Sequence, residues 1–126
     1  MKQPDRKPTD AELAILRVLW SRGPSTVRDV AAAMGREGAY TTVLKLLQIM
    51  MDKQLVRRDE STRTHVYEAA HSEAQMQQHL VADLLDRAFD GSAATLVMRA
   101  LSAKKTSAKE LAEIRKLLNS KQGEKP

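Results

Sequence analysis

Between residues 41 and 52, the polar side chains Thr41, Lys45, Gln48 and Asp52 recur at spacings of four, three and four. A helix turns about 100° per residue, so these four share one face. Val43, Leu46, Leu47 and Met50 fall on the other side, where a core would lie. Thr42 stands beside the polar stripe and Tyr40 opens the segment. Short polar side chains near a helix start suit hydrogen bonding to base edges in the major groove, and a Lys one turn later can meet base or phosphate. A merely solvated helix face has the same layout, so the stripe alone decides nothing. Downstream lie Arg57, Arg58, Arg63 and His65, whose chemistry is phosphate contact. Taken in series, the two segments make double-stranded DNA the expected partner.

Other chemistries lack their parts. Three histidines, no cysteine, no Gly-rich phosphate loop and no paired carboxylates leave nothing to run a reaction, so no enzyme and no cofactor are expected. Without cysteine there are no disulfides, thiol nucleophiles or thiolate metal ligands. His79 and Asp83 sit one helical turn apart, but two ligands without a third read as polar helix positions, and no metal is assigned. The N-terminal residues are polar, with no apolar signal segment, and no apolar run approaches membrane-spanning length. A cytoplasmic protein with no membrane partner is expected. The formal charge of +5 and pI of about 9.7 favour an anionic partner. Residues 1–69 carry 12 basic and 9 acidic groups and residues 70–126 carry 9 and 7, so neither half is a polybasic arm.

The elements that must position these groups follow from caps and periodicity. Thr9 and Glu12 form a capping box that opens a helix through Leu13, Leu16 and Trp20, stopped by Gly23-Pro24. Ser25-Thr26 leads into a short helix from Val27 to Met34, and Gly35-Arg36-Glu37-Gly38 is the turn before a third helix, Tyr40 to Lys53. Two β-prone segments, Leu55–Arg58 and Arg63–Tyr67, flank the polar turn Asp59–Thr62 and predict a hairpin. Three helices and a hairpin make a winged helix-turn-helix in a mainly α protein. Ser72 with Gln75, Ser92, and Ser107 with Glu110 then open three more helices. Their apolar stripes include Met76, Leu80, Leu84 and Phe89, then Leu111, Ile114 and Leu118. The expected organisation is a flexible start at 1–8, a winged helix at 9–70, a helical region at 71–119 and a flexible tail at 120–126.

In these stretches the chain resembles the penicillinase-repressor family, the BlaI/MecI/CopY group of winged-helix repressors. The resemblance rests on Thr9-Asp10-Ala11-Glu12-Leu13 with Leu19-Trp20, then Gly23-Pro24-Ser25-Thr26-Val27 and Tyr40-Thr41-Thr42-Val43-Leu44. It continues through Asp52-Lys53-Gln54-Leu55-Val56, Arg63-Thr64-His65-Val66-Tyr67, Phe89-Asp90-Gly91-Ser92 and Leu96-Val97, in family order over roughly residues 9–118. It implies a homodimer on an inverted-repeat operator, repressing β-lactam-response or related stress genes, with the tail helices interlocking the chains. The family usually has Gly where Gln54 and Thr62 stand, which bears on the exit from the third helix and on the wing tip. The copper-responsive branch uses a cysteine-rich site, so this chain is not of that branch.

The β-lactam-sensing branch further implies a sensor protease that cuts an Asn-Phe bond just after a Leu-Val pair. Here Leu96-Val97-Met98 is followed by Arg99-Ala100, which marks the equivalent position without either target residue. An Asn-Phe-specific protease is expected to leave the chain intact, and a protease with another preference remains the alternative. The rival reading of the whole is a winged-helix module that docks protein and does not read DNA. A tail of about 55 residues cannot bury its own stripes, so a two-fold dimer is expected, and a chain cut after Ala69 is expected to be a folded monomer.

Overall fold

The computed structural model describes residues 7–35 and 39–123. Its elements are α1 (Asp10–Arg22), α2 (Val27–Met34), α3 (Tyr40–Asp52), β1 (Val56–Asp59), β2 (Val66–Ala69), α4 (Glu73–Ala88), α5 (Ala93–Ala103) and α6 (Ala108–Gln122). Three helices followed by an antiparallel hairpin form a winged helix-turn-helix. Of the expected turn before α3, Gly35 takes φ of 63°, and residues 36–38 lie outside the described residues.

The helix starts are fixed by local chemistry. The Thr9 hydroxyl accepts from the Glu12 N–H at 3.2 Å while the Glu12 carboxylate accepts from the Thr9 N–H at 2.9 Å. Thr26 and Asp29 repeat the reciprocal box at α2, and Ser72 and Gln75 at α4. Ser107 caps α6 through its hydroxyl, which accepts from the Glu110 N–H. That helix runs on through Asn119 to Gln122, three residues past the expected end at 119, because Lys and Gln are good helix formers and Lys121 suits the helix C-terminus.

Two compact units divide the chain, one ending at Val81 and one beginning at Ala82. The first is built on Ile15, Leu16 and Leu19 of α1, Val27 and Val30 of α2, and Val43, Leu47 and Met50 of α3, closed by Leu55, Val56 and Tyr67. Met76 completes this core, with Leu80 partly buried against it. The unit thus extends past residue 70, and Met76, expected to pair one chain with another, is already covered within its own chain. Periodicity marks a residue as apolar-facing without saying which surface it faces. The Trp20 indole N–H donates to the His71 carbonyl at 3.0 Å, a second tie between α1 and the start of the tail.

The hairpin is shifted from its expected limits: β1 takes in Asp59, placed in the turn by the sequence, and β2 begins at Val66 and runs on to Ala69. Val56 pairs with Ala69 and Asp59 with Val66, which leaves Arg63, Thr64 and His65 in the connecting loop. Side-chain bonds close that tip: the Asp59 carboxylate accepts from the Ser61 N–H at 2.9 Å, and the Thr62 hydroxyl donates to the Thr64 carbonyl at 2.7 Å. Such local bonds compete with ladder pairing. Ser25, just before α2, bridges Tyr67 through two backbone bonds of 2.9 and 2.7 Å and lashes the wing to the helices.

At the end of α3, Gln54 takes φ of 64°. The Gln54 N–H donates to Met51 and the Leu55 N–H to Met50, the bond pair of a Schellman cap normally built with Gly. The left-handed exit is therefore kept without the glycine. Left-handed geometry costs a Cβ-bearing residue about 1–2 kcal/mol, partly offset by its smaller unfolded-state freedom. Gln54→Gly is expected to stabilise the protein by roughly 0.5–1 kcal/mol in urea denaturation, and a loss of stability would contradict this account of the cap.

In the second unit, α5 and α6 contain no buried residue. Val97, Met98, Leu101, Leu111, Leu117 and Leu118 are all exposed, with Leu117 at 57%.

Candidate nucleic-acid interface

The amphipathic split of α3 is realised as a core face of Val43, Leu47 and Met50 and an exposed face of Thr41, Thr42, Lys45 and Gln48. Leu46 is half-buried, and Ile49 stands at the edge of the exposed face. Tyr40, first residue of the helix, is 50% exposed. Ala39 precedes it with no side-chain cap, so the first N–H groups of α3 take no capping side chain. A helix start of this kind favours phosphate.

A cleft of about 440 Å³ joins this helix start to the wing, lined by Thr26, Val27, Arg28, Tyr40, Leu44, Arg63, Thr64, His65 and Tyr67. The structure thus brings Tyr40, Arg63 and His65 together. Thr41, Thr42, Lys45 and Gln48 do not line the cleft and occupy the open face of α3. Arg28 is the residue that sequence reasoning missed. It is a single exposed Arg on an eight-residue helix, and only the fold sets it across the cleft from the wing.

The cations divide by whether they are already engaged. Arg57 lies at the wing base, 3.4 Å from Glu68, and donates to the Ala70 carbonyl at 2.8 Å, so much of its hydrogen bonding holds the hairpin. Arg58 donates to Glu60 at 2.6 Å. Its guanidinium pKa is held above the ordinary value by the Tyr67 hydroxyl first and then by Glu60. Arg28, Lys45 and Arg63 form no ion pair among the described residues. Unpaired cations are the ones a polyanion can claim without breaking an internal contact.

The wing tip carries its own pH marker. Hydrogen bonds from the Ser61 N–H and then its hydroxyl hold the Asp59 carboxyl below the usual aspartate range. A depressed folded-state pKa means that the bond supports the tip above the ordinary value of about 3.9 and is lost as pH falls through the lower one. In an NMR titration the Asp59 carboxyl is expected to inflect below about 3.9, with the Ser61 amide shift following the same curve. An inflection at or above that value would remove this bond from the account of the tip.

The remaining expected residues lie elsewhere. Leu84 is 47% exposed, Phe89 and Ile114 are half-buried, and Leu111 and Leu118 are exposed. Arg99 and Ala100 are exposed in the interior of α5, not in a loop. His79 and Asp83 gather no third ligand, and no metal-ligating cluster occurs among the described residues. No described helix is long and apolar enough to cross a membrane.

The family model described as penicillinase repressor matches residues 8–120. Two transcriptional regulators named BlaI, from the CDC 1551 / Oshkosh and H37Rv strains of Mycobacterium tuberculosis, are each 39% identical over 84 residues. The match takes in 64% of this chain and 61% of each relative, so the chain spans less than two thirds of their length. Among solved structures, the adhesin competence repressor of Streptococcus pyogenes aligns over 94% of this chain and 83% of its own, with a TM-score of 0.42 and 19% identity.

Proposed function

The chain belongs to the penicillinase repressor family, and from that premise we propose that it represses transcription by holding an inverted-repeat DNA operator as a cytoplasmic homodimer. The observation that carries the reading is the meeting of the α3 start with Arg28 and Arg63, which form no ion pair among the described residues, and with His65, around one cleft. In this arrangement Thr41, Thr42 and Gln48 face base edges and Lys45 meets base or phosphate. Arg63 and His65 on the wing and Arg28 on α2 hold the backbone on either side.

The dimer is supported by the second unit, whose two helices bury no residue in a single chain. Leu84, Phe89, Leu111, Ile114 and Leu118 are the residues we assign to the interface, with Leu80 shared and Met76 left to the reader core. Two-fold closure sets two readers on equivalent half-sites about one helical turn, or a multiple, apart. Arg99-Ala100 offers no Asn-Phe bond, so release by an Asn-Phe-specific sensor protease is not part of the proposal.

Duplexes selected by the protein from a random pool provide the test. Thr41→Ala and Thr42→Ala are expected to relax sequence choice, each base contact removed costing roughly 1–3 kcal/mol. Arg28→Ala and Arg63→Ala are expected to weaken all duplexes alike and to lower the slope of log affinity against log salt by about one for each phosphate left unneutralised. A flat salt dependence would favour the protein-docking rival. Unchanged affinity in the double Thr variant, with native circular dichroism, would remove α3 as the reader.

A further inference from the structure

The wing carries a titratable side chain on the surface assigned to the duplex backbone. His65 ends the loop between β1 and β2 and is exposed. It lines the cleft together with Arg63 of the same loop, Arg28 of α2, Tyr40 of α3 and Tyr67 of β2. Its imidazole forms no hydrogen bond or ion pair among the described residues. No carboxylate is among the described lining residues. The acids of the adjoining elements are engaged elsewhere. Asp29 accepts from the Thr26 N–H and Asp59 from the Ser61 N–H, while Glu60 holds Arg58 and Glu68 lies 3.4 Å from Arg57. The described chain thus offers this imidazole no anion, and its charged neighbours in the cleft are two guanidiniums.

We propose that the duplex supplies the missing anion: operator binding takes up a proton at His65 of each reader, so the protein holds DNA more tightly as the solution turns mildly acidic. Histidine is the side chain that ordinarily changes charge between about pH 5 and 8. An imidazolium donates to a phosphate oxygen with charge assistance that a neutral ring lacks, so a phosphate at the wing favours the protonated form. The bound state then carries more protons than the free state, and affinity must rise as pH falls. Arg28 and Arg63 keep their charge throughout, so His65 is the lining cation whose contribution varies. Proton uptake rests on the DNA reading above, since only a phosphate held at the wing draws the proton.

Anisotropy of a labelled, pool-selected duplex is followed with the full-length protein from about pH 8 to about pH 6 at constant ionic strength, across the range in which histidine gains its charge. Affinity is expected to rise roughly tenfold for each reader, the effect of one added charge-assisted contact. The slope of log affinity against log salt is expected to steepen by about one for each reader over the same range. His65→Gln is expected to flatten the profile near the alkaline affinity of the unaltered protein. His65→Arg, which fixes the charge, is expected to flatten it near the acidic affinity. His71→Gln before α4 and His79→Gln within α4 are expected to leave the profile as it is. Calorimetry of binding in two buffers of different ionisation heat counts the protons, with uptake expected in the unaltered protein and none in His65→Gln. A duplex held equally well across the range, or a profile that survives His65→Gln, would overturn the proton uptake and leave the DNA reading standing. A protein that selects no duplex at any pH would sink the DNA reading and the proton uptake with it.

Discussion

A fragment ending at Val81 is expected to fold as a monomeric reader and to bind the operator roughly 10²–10⁴-fold more weakly than the full chain, the loss that follows when two linked readers become one. Every residue of the first core lies at or before Leu80, so the fragment keeps all of its buried apolar surface. Ending the chain at Ala69 has a different result. That cut removes Met76 from the core, strips Leu80 from its edge and leaves the Trp20 indole without the His71 carbonyl. Burying a Met side chain contributes about 1.5–3 kcal/mol and a hydrogen bond about 1, so the shorter fragment should be less stable by about 3 kcal/mol. For a unit of this size that is a fall in Tm of roughly 10–20 °C. The folded monomer expected from the sequence after Ala69 is therefore moved to Val81. Thermal unfolding of the two fragments, with sedimentation of the full chain, checks both halves. Equal Tm values would contradict the place given to Met76, and a full-length monomer at micromolar concentration would overturn the dimer.

The parts legible in the sequence were those whose signals are local. Thr9 with Glu12 and Gly23-Pro24 bracket α1, and the apolar period of α3 separates its two faces, because caps and periodicity act within a few residues. Two kinds of information were not local. Met76 and Leu80 read as one stripe with Leu84, since a period of 3.6 identifies a face but not its partner. In the structure the stripe divides, its first residues serving the reader core and Leu84 remaining exposed. Arg28 gave no signal, because its value comes from lying across a cleft from residues about 35 positions away. The strand limits failed for a third reason: Arg63–His65 have ordinary strand propensity, but the Asp59 and Thr62 side chains close the tip by bonding the Ser61 N–H and the Thr64 carbonyl. Arg57 was legible as a cation yet not as an engaged one, since Glu68 faces it only through the hairpin register.

The second large effect is expected where the reader helix is anchored. The Glu12 carboxylate accepts from the Thr9 N–H at 2.9 Å and from the Lys53 ammonium at 2.8 Å, joining the start of α1 to the end of α3. Glu12 is 2% exposed, whereas the Lys53 side chain is 23% exposed. That difference makes the pair asymmetric. Without Glu12, Lys53 can turn its ammonium to water, and the main cost is the ion pair and half of the capping box, about 2 kcal/mol for Glu12→Ala. Without Lys53, the carboxylate is left buried with only the Thr9 N–H, and an uncompensated buried charge costs about 3–5 kcal/mol. Lys53→Met, which keeps the length of the side chain, is thus expected to destabilise more than Glu12→Gln, which keeps an acceptor for Thr9. The double variant should recover part of the Lys53→Met loss, because it removes the stranded charge. Urea denaturation of the four proteins measures the cycle. If Lys53→Met costs less than about 1 kcal/mol, as an exposed ion pair would, then the 2.8 Å contact is a surface pair in effect and α3 is held by its apolar face alone.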